Sequence, residues 1–235
     1  MSPRTGTASD LEEDWAERVR ANRVQAERFR EAAAGDFYAP VSNLFVADPR
    51  RSGEPALDAL LAMASADDTW LDIGAGAGRY ALPLALKVRE VIAVEPSGGM
   101  RRALRTGMAE HGIANVRVVP GPWPESLAVL EPLPAADVAL IAHVGYDIES
   151  IGPFIDAMEG ASGRRCVAML TDRSPASVAD PFWPLVHGEE RVPLPALPDL
   201  VDLLRARGRS PELQALERSP RTSRSPGRWP RWALG

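Results

Sequence analysis

The chain has 235 residues, of which 45% are hydrophobic and 25% charged, and this composition fits one ordinary globular domain with a small appendage. Its formal net charge of -5 disfavours a nucleic-acid partner, because surfaces that bind phosphates carry an excess of basic residues. The single cysteine, Cys166, excludes an internal disulfide. No apolar run approaches the roughly 20 residues that cross a bilayer. The start of the chain lacks the apolar region of a signal peptide. We therefore expect a cytoplasmic protein with no membrane partner.

The first part of the chain, residues 1–50, is predicted to form a helical cap. Apolar residues recur at four-residue spacing within the charged segment 10–35, and they are Leu11, Trp15 and Val19. This spacing predicts an amphipathic helix that ends at Gly35. Because the cap has no place in a central sheet but carries apolar side chains, we expect it to lie over the ligand cleft as a lid.

An α/β domain is predicted over residues 51–218, where five apolar runs alternate with helix-compatible stretches. The runs read TWLDIG, EVIAVEP, VRVVPG, ADVALIAHV and RRCVAMLT. Strands that alternate with helices indicate βαβ units, and therefore a Rossmann-like, doubly wound, mostly parallel sheet with helices on both faces. The runs are apolar almost throughout, as expected of strands that are covered on both faces.

The C-terminal residues 219–235 are rich in Pro, Arg, Ser and Gly, a composition typical of a disordered tail. We therefore expect the final strand of the sheet to be missing and the sheet to contain at most six strands. An open sheet edge invites pairing with another chain. A homodimer that uses this edge is one expectation.

Three alternate glycines follow the first predicted strand, in the sequence DIGAGAG. Gly74, Gly76 and Gly78 permit positive φ and a close approach of backbone to a ligand, and the next helix offers free N–H groups. A dinucleotide fingerprint would need Gly or Ala where this chain has Arg79. An NAD(P)-dependent oxidoreductase is thus disfavoured but stays an alternative, as does a tight turn without a ligand.

The stretches LDIGAGAGRYALPLA and VIAVEPSGGM resemble the first two motifs of class I S-adenosylmethionine-dependent methyltransferases, over about residues 57–170. The resemblance implies S-adenosylmethionine (SAM) as the cofactor. It further implies that Asp72 either orders the loop or contacts the amino-acid part of SAM, and that the glycine loop lies against the cofactor. Glu95 is implied to bind the ribose, and the start of the next helix to contact the adenine region. The residues concerned are Asp72, Gly74, Ala75, Gly76, Gly78, Glu95, Pro96 and Met100. For Glu95 a solvated charge at a strand end is the alternative, and for Met100 a place in the core.

After the third predicted strand, many methyltransferases carry an acidic residue that binds adenine. This chain departs from that pattern and has Gly121, Pro122 and Trp123 instead. We expect these residues to hold adenine through backbone groups and through stacking on the indole. A hydrophobic plug under the loop is an equally weighted alternative for Trp123.

The fourth predicted strand ends in Ala142 and His143, where the resemblance places the reacting sulfonium. His143 is the candidate general base. Tyr146 is a candidate to present its hydroxyl or its ring face to the sulfonium, and structural roles are the alternative for both residues. The sequence predicts no metal site.

No motif identifies the methyl acceptor. The loop 171–195 is a possible substrate loop. The N-terminal aromatics Phe37, Tyr38 and Phe45 are predicted to wall an acceptor pocket together with His143, Tyr146 and residues 182–187 of this loop. The stretches WPESL, AHVGYDI and DPFWPLVHGEER resemble bacterial methyltransferase-like proteins, a likeness that adds no substrate. Methyl transfer to a small-molecule acceptor is the predicted function, and a non-catalytic SAM-binding protein is a further alternative.

Overall fold

Residues 4, 6–29 and 35–216 are the part of the chain that the computed structural model describes. Five strands form one sheet there, and they are β1 Thr69–Ile73, β2 Glu90–Glu95, β3 Val116–Pro120, β4 Ala136–Ala142 and β5 Ser162–Met169. Every pair of neighbouring strands is parallel, in the order β3-β2-β1-β4-β5. The chain winds outward from β1 to β3 and returns to β4 on the other side of β1. The predicted doubly wound, Rossmann-like α/β fold is confirmed.

Helices cover both faces of this sheet. The α-helices are α1 Ala8–Glu27, α2 Pro55–Met63, α3 Ala81–Ala85, α4 Gly98–His111, α5 Ile151–Ala161, α6 Trp183–His187 and α7 Leu197–Ala206. Short 3-10 helices lie at Ala39–Phe45, Glu125–Val129 and Pro175–Ala179. One apolar cluster joins Ile73 and Ile92 to helices α1, α5 and α7. A second cluster joins Trp70 and Leu140 to helices α2, α3 and α4, so alternate residues of each central strand point to opposite faces.

The edge strand β5 departs from the prediction that the strands are buried throughout. Its residues 163–166 are exposed, because β5 forms one edge of the sheet and no strand of the described chain lies beyond it. Residues 211–216 form no strand, and the predicted disordered tail 219–235 lies outside the described residues. The predicted second subunit at this edge stays a prediction.

Helix α1 begins at a capping box, which explains where the predicted N-terminal helix starts. The Thr7 side chain accepts a hydrogen bond from the Asp10 backbone N–H at 3.2 Å, and the Asp10 carboxylate accepts one from the Thr7 N–H at 2.9 Å. The helix ends at Glu27, well before the predicted stop, where a tighter turn brings the Phe29 N–H to the carbonyl of Ala26 at 3.2 Å. Residues 30–34 lie outside the described part of the chain.

Helix α1 packs into the main apolar cluster beside α5 and α7. Trp15 and Val19 are 2% and 1% exposed, and the Trp15 indole N–H donates to the carbonyl of Ile148 at 2.9 Å. The helix therefore contributes to the core of the α/β domain. A lid function for residues 1–50 stays a prediction.

This packing gives a stability prediction for α1. Trp15→Ala should lower the free energy of unfolding by about 3–5 kcal/mol, because it leaves a cavity and an unpaired carbonyl in the core. Urea denaturation would measure the loss. Val24→Ala on the same helix, where the side chain is 62% exposed, should change it by less than about 0.5 kcal/mol. Equal losses in the two variants would show that α1 does not support the core.

Candidate functional site

The glycine loop follows β1 at the carboxyl edge of the sheet. Gly74, Gly76 and Gly78 have φ values of 75°, 57° and 86°, a region that favours glycine. The N–H groups of Gly74 and Ala75 donate to the carbonyl of Val94 at 2.8 and 3.1 Å. These bonds tie the loop to the end of β2, so its position is set by the central strands.

The three glycines serve different purposes. A Cβ at Gly74 would lie 2.5 Å from the Val144 side chain, and one at Gly78 would lie 2.5 Å from the Leu104 side chain. A Cβ at Gly76 would meet no atom of the described residues within 4 Å. Gly74 and Gly78 therefore permit packing of the protein itself, whereas Gly76 borders an open space in which a ligand can approach the backbone.

The Glu95 carboxylate links the loop to the start of α4. Its Oε2 accepts a hydrogen bond from the Gly76 N–H at 2.8 Å, and its Oε1 accepts one from the Ser97 N–H at 2.7 Å. Glu95 is 5% exposed, and burial raises its pKa although these two hydrogen bonds oppose the shift. A carboxylate has about four acceptor sites, so Glu95 keeps capacity for further donors.

Asp72 is a buried carboxylate within the central strand β1. It is 2% exposed, and its side chain has no hydrogen-bond partner among the described residues. Burial, together with the charge of Glu95, raises the pKa of Asp72 to about 7. A buried carboxylate without a partner is costly, so this site favours a ligand that brings a hydrogen-bond donor or a positive charge.

The first turn of α4 lies directly beyond Glu95. Ser97 caps the helix, and its hydroxyl accepts a hydrogen bond from the Met100 N–H at 3.1 Å. Met100 is 4% exposed, while Pro96 is exposed at the turn. The structure thus places Pro96 and Met100 in the turn and the first helical residues that follow Glu95, the residue that the sequence analysis assigned to the ribose.

The loop after β3 divides into two parts. The Gly121 N–H donates to the Glu95 carbonyl at 3.4 Å, and Pro122 is exposed next to it. The ring of Trp123 lies in the apolar core, where it is 8% exposed and its indole N–H donates to the carbonyl of Phe154 at 3.2 Å. Of the two interpretations of Trp123, this placement favours the hydrophobic plug.

The end of β4 carries an unusual backbone. His143 has φ of 59°, and no other non-glycine residue of the described chain has a positive φ. Its N–H donates to the Met169 carbonyl at 2.8 Å, which extends the ladder between β4 and β5, and its side chain is exposed. Left-handed backbone costs about 1–3 kcal/mol in a non-glycine residue and occurs preferentially at functional sites. Ala142 precedes this turn and is half-buried.

Tyr146 is 5% exposed and joins two loops at this edge. Its hydroxyl accepts a hydrogen bond from the Thr171 N–H at 2.8 Å and lies 3.0 Å from the Thr171 hydroxyl. These contacts give Tyr146 a structural role, because they connect the chain after β4 to the chain after β5.

Comparison with known proteins adds to this geometry. No family model matches the sequence. The sequence is 27% identical over 132 residues to the probable cobalt-precorrin-6B C(15)-methyltransferase (decarboxylating) of Methanothermobacter thermautotrophicus, a match that covers 54% of this chain and 67% of that protein. The chain resembles a methyltransferase. This match confirms the resemblance that the glycine loop and the Glu95 motif predict.

Solved structures overlap this methyltransferase-like chain in part. The YcgJ protein from Bacillus subtilis is 22% identical, with a TM-score of 0.48 over 64% of this chain and 66% of that one. TYW2 from M. jannaschii, solved in complex with AdoMet, is 18% identical, with a TM-score of 0.38 over 48% of this chain and 50% of that one. The overlap concerns the fold alone.

The aromatic residues predicted to wall an acceptor pocket form two clusters in this methyltransferase-like fold. Phe37 and Phe45 flank Tyr38, with ring centroids 5.2 and 6.1 Å from it. In the second cluster, the Trp183 and His187 rings are 4.3 Å apart, and Phe29 at the end of α1 joins them. Phe182 is 64% exposed. A pocket shared by both clusters stays a prediction.

Two features of the site escaped the sequence analysis. Ser97 was not singled out, although serine three residues before Met100 is a recognisable N-cap signal. Asp36 was also missed, because its contacts join parts of the chain that are far apart in sequence.

Within the described ranges, no three His, Cys, Asp or Glu side chains group as metal ligands. No helix in the same ranges is long and apolar enough to span a bilayer.

Proposed function

We propose that this protein is a SAM-dependent methyltransferase with a small-molecule acceptor. The observation that carries the proposal is the open space beside Gly76, whose N–H is bonded to the buried Glu95 carboxylate, with the buried Asp72 carboxylate close enough to Glu95 to feel its charge. The Asp72 side chain has no hydrogen-bond partner among the described residues, and the Glu95 carboxylate can accept further hydrogen bonds. The sequence match to a protein named as a methyltransferase supports the same conclusion.

The chemistry of the site suits an adenosyl amino acid. Asp72 would pair with the cationic amino-acid part of SAM, and Glu95 would accept hydrogen bonds from the ribose hydroxyls. Gly76 would let the backbone approach the cofactor closely.

The same site is unfavourable for a dinucleotide. A pyrophosphate would bring negative charge next to two carboxylates, which like-charge repulsion opposes. Arg79 does not compensate, because its guanidinium pairs with Glu54 at 2.9 Å. These contacts support SAM over NAD(P).

The proposed mechanism depends on alignment more than on acid–base chemistry. When bound, SAM would supply an electrophilic methyl group. The loop backbone and the two carboxylates would fix the cofactor, and such positioning can contribute roughly 7–11 kcal/mol to lowering the barrier. An imidazole nitrogen of His143 would accept the proton of an acceptor that is protonated at neutral pH, which adds about 10²- to 10⁴-fold.

The exposed aromatic side chains support a small, partly apolar acceptor. Phe37 is 57% exposed and Phe182 is 64% exposed, whereas side chains of this kind are normally buried. Exposed apolar surface of this type often marks a binding region. Closure over such an acceptor would exclude water from the reacting methyl group.

Calorimetry with four ligands tests the proposal. SAM and its demethylated product, S-adenosylhomocysteine, should bind with micromolar dissociation constants, about -8 kcal/mol. NAD and ATP should give no heat of binding at the same concentrations. Preferential binding of NAD would support the oxidoreductase alternative instead, and binding of SAM without turnover of any acceptor would support a non-catalytic protein.

The ribose assignment gives a second prediction. Glu95→Ala should weaken SAM binding by about 1.5–3 kcal/mol, because it removes charged hydrogen bonds to the cofactor. Glu90→Ala is the matched control, since Glu90 is the first residue of the strand that Glu95 ends, and its side chain is 40% exposed. It should leave the dissociation constant unchanged. Unchanged affinity in Glu95→Ala would remove the ribose assignment.

A further inference from the structure

Asp36 connects the N-terminal segment to the first turn of α4. Its Oδ2 accepts hydrogen bonds from the Gly99 N–H at 2.8 Å and from the Ser97 hydroxyl at 2.8 Å. The bond from Gly99, followed by the bond from Ser97, holds the pKa of Asp36 below its usual range. Asp36 is therefore a carboxylate bound at the N-terminus of α4, where negative charge is favourable.

These contacts continue into the candidate cofactor site. The Ser97 N–H donates to Glu95 Oε1 at 2.7 Å, and the Gly76 N–H donates to Glu95 Oε2 at 2.8 Å. A continuous series of hydrogen bonds thus runs from Asp36 through Ser97 and Glu95 to the glycine loop.

Gly99 allows the N-terminal segment to sit against α4. A Cβ at Gly99 would lie 2.5 Å from the Cα of Ala39 and 2.8 Å from its Cβ, distances that no real packing tolerates. A Cβ at the neighbouring Gly98 would meet its nearest atom at 3.6 Å, which is ordinary contact. Of these two glycines, only Gly99 is required for the docking of the 3-10 helix Ala39–Phe45.

We propose that the docked segment 36–45 is part of the cofactor site and that Asp36 is a positioning residue for Glu95. This inference rests on the proposed function. The hydrogen bond to Asp36 holds the Ser97 side chain in place, and the Ser97 N–H holds one oxygen of Glu95. These contacts fix the orientation of the Glu95 carboxylate, and with it the position of the acceptor sites that remain for the cofactor. Because a ligand that binds better to one conformation stabilises that conformation, SAM should in turn strengthen the docking of segment 36–45.

Two alanine substitutions in adjacent positions test the docking. Gly99→Ala and Gly98→Ala place the same residue in the same helical turn, where Ala is the better helix former. Gly99→Ala should weaken SAM binding roughly 5- to 150-fold, the usual range for coupled sites. It should also speed backbone hydrogen exchange in segment 36–45 and remove the protection that SAM confers there. Gly98→Ala should match the wild-type protein in both measurements.

Substitutions at Asp36 test its role as a positioning residue. Asp36→Ala should weaken SAM binding, and Asp36→Asn, which keeps an acceptor oxygen for the Gly99 N–H, should restore most of the affinity. Asp10→Ala is the control, because Asp10 belongs to a comparable cap on α1, on the opposite face of the sheet. Asp10→Ala should lower the melting temperature and leave the SAM dissociation constant unchanged.

The outcomes separate this inference from the proposed function. If the wild-type protein binds SAM and Gly99→Ala binds it as tightly as Gly98→Ala, the inference is overturned and the proposed function is not. Differences in melting temperature between the variants do not change this conclusion. Affinity that is equally low in Asp36→Ala and Asp36→Asn overturns the role of the Asp36 acceptor oxygen. Wild-type protein that binds no SAM overturns the proposed function and the inference with it.

Discussion

Gly76→Val should abolish SAM binding, with a loss of at least about 100-fold, or ~2.8 kcal/mol. The side chain would fill the open space beside the loop, where a Cβ meets no atom of the described residues within 4 Å. The same variant carries a valine at φ of 57°, which costs about 1–2 kcal/mol of stability. Calorimetry with SAM, together with a thermal melt, separates the two effects.

Gly112→Val is the matched control for this variant. Gly112 ends α4 with φ of 65°, and a Cβ there also meets no atom of the described residues within 4 Å. The two variants should therefore lose similar stability, and only Gly76→Val should lose SAM binding. Retained binding in Gly76→Val would place the cofactor elsewhere.

Asp72→Asn should stabilise the protein without ligand at pH 8, by up to about 4 kcal/mol. The pKa of Asp72 is about 7 in the folded protein, against an ordinary value of 3.8. Between these pH values the folded chain holds a proton that the unfolded chain releases. Wild-type stability therefore falls as pH rises from about 4 to 7, and above pH 7 the full penalty of a buried carboxylate applies. The asparagine variant lacks this dependence.

The same variant should weaken SAM binding and change how binding depends on pH. In the wild-type protein a cationic ligand favours the ionised form of Asp72, so affinity should rise about tenfold per pH unit up to pH 7 and then level. Asp72→Asn should bind weakly at every pH in that range. From pH 5 to pH 8, denaturation would measure the free energy of unfolding, and calorimetry would measure the dissociation constant of SAM.

Asp68→Asn provides a control with the opposite sign. Asp68 is also buried, but it accepts hydrogen bonds from Arg164 at 2.7 Å and from the Ser65 N–H at 2.9 Å. Although burial opposes them, these bonds hold the pKa of Asp68 below its usual range. Asp68→Asn should therefore lose stability at pH 8. A loss of stability in Asp72→Asn as well would show that Asp72 has a partner in the folded protein.

Features set by local pattern could be predicted from the sequence. All five strands and the glycine loop could be identified, because an apolar run bounded by Gly and Pro is recognised from residues that are neighbours in the sequence. Asp72 and Glu95 could be assigned to the site through the resemblance of LDIGAGAG and VIAVEP to the first two methyltransferase motifs, and the structure places them near the carboxyl ends of adjacent strands. Their roles in binding SAM stay predictions.

Features set by contacts between distant residues could not be predicted. The exposure of β5 depends on which strand forms the sheet edge, and no single run of residues records it. The contact of Asp36 with Gly99 spans 63 positions in the sequence. Trp123 and Tyr146 find backbone partners in other elements, so their types alone could not distinguish a ligand contact from a structural role.

The left-handed backbone at His143 determines which substitutions are informative at this position. A φ of 59° is most accessible to Gly, Asn, Asp and His, so β-branched residues would fail there even if the imidazole had no chemical task. In a mutational scan, intolerance of Val, Ile and Thr at position 143 would therefore report on backbone geometry. Gly and Asn keep the geometry and remove the imidazole, and selection against these two residues is the signature of chemistry at the end of β4.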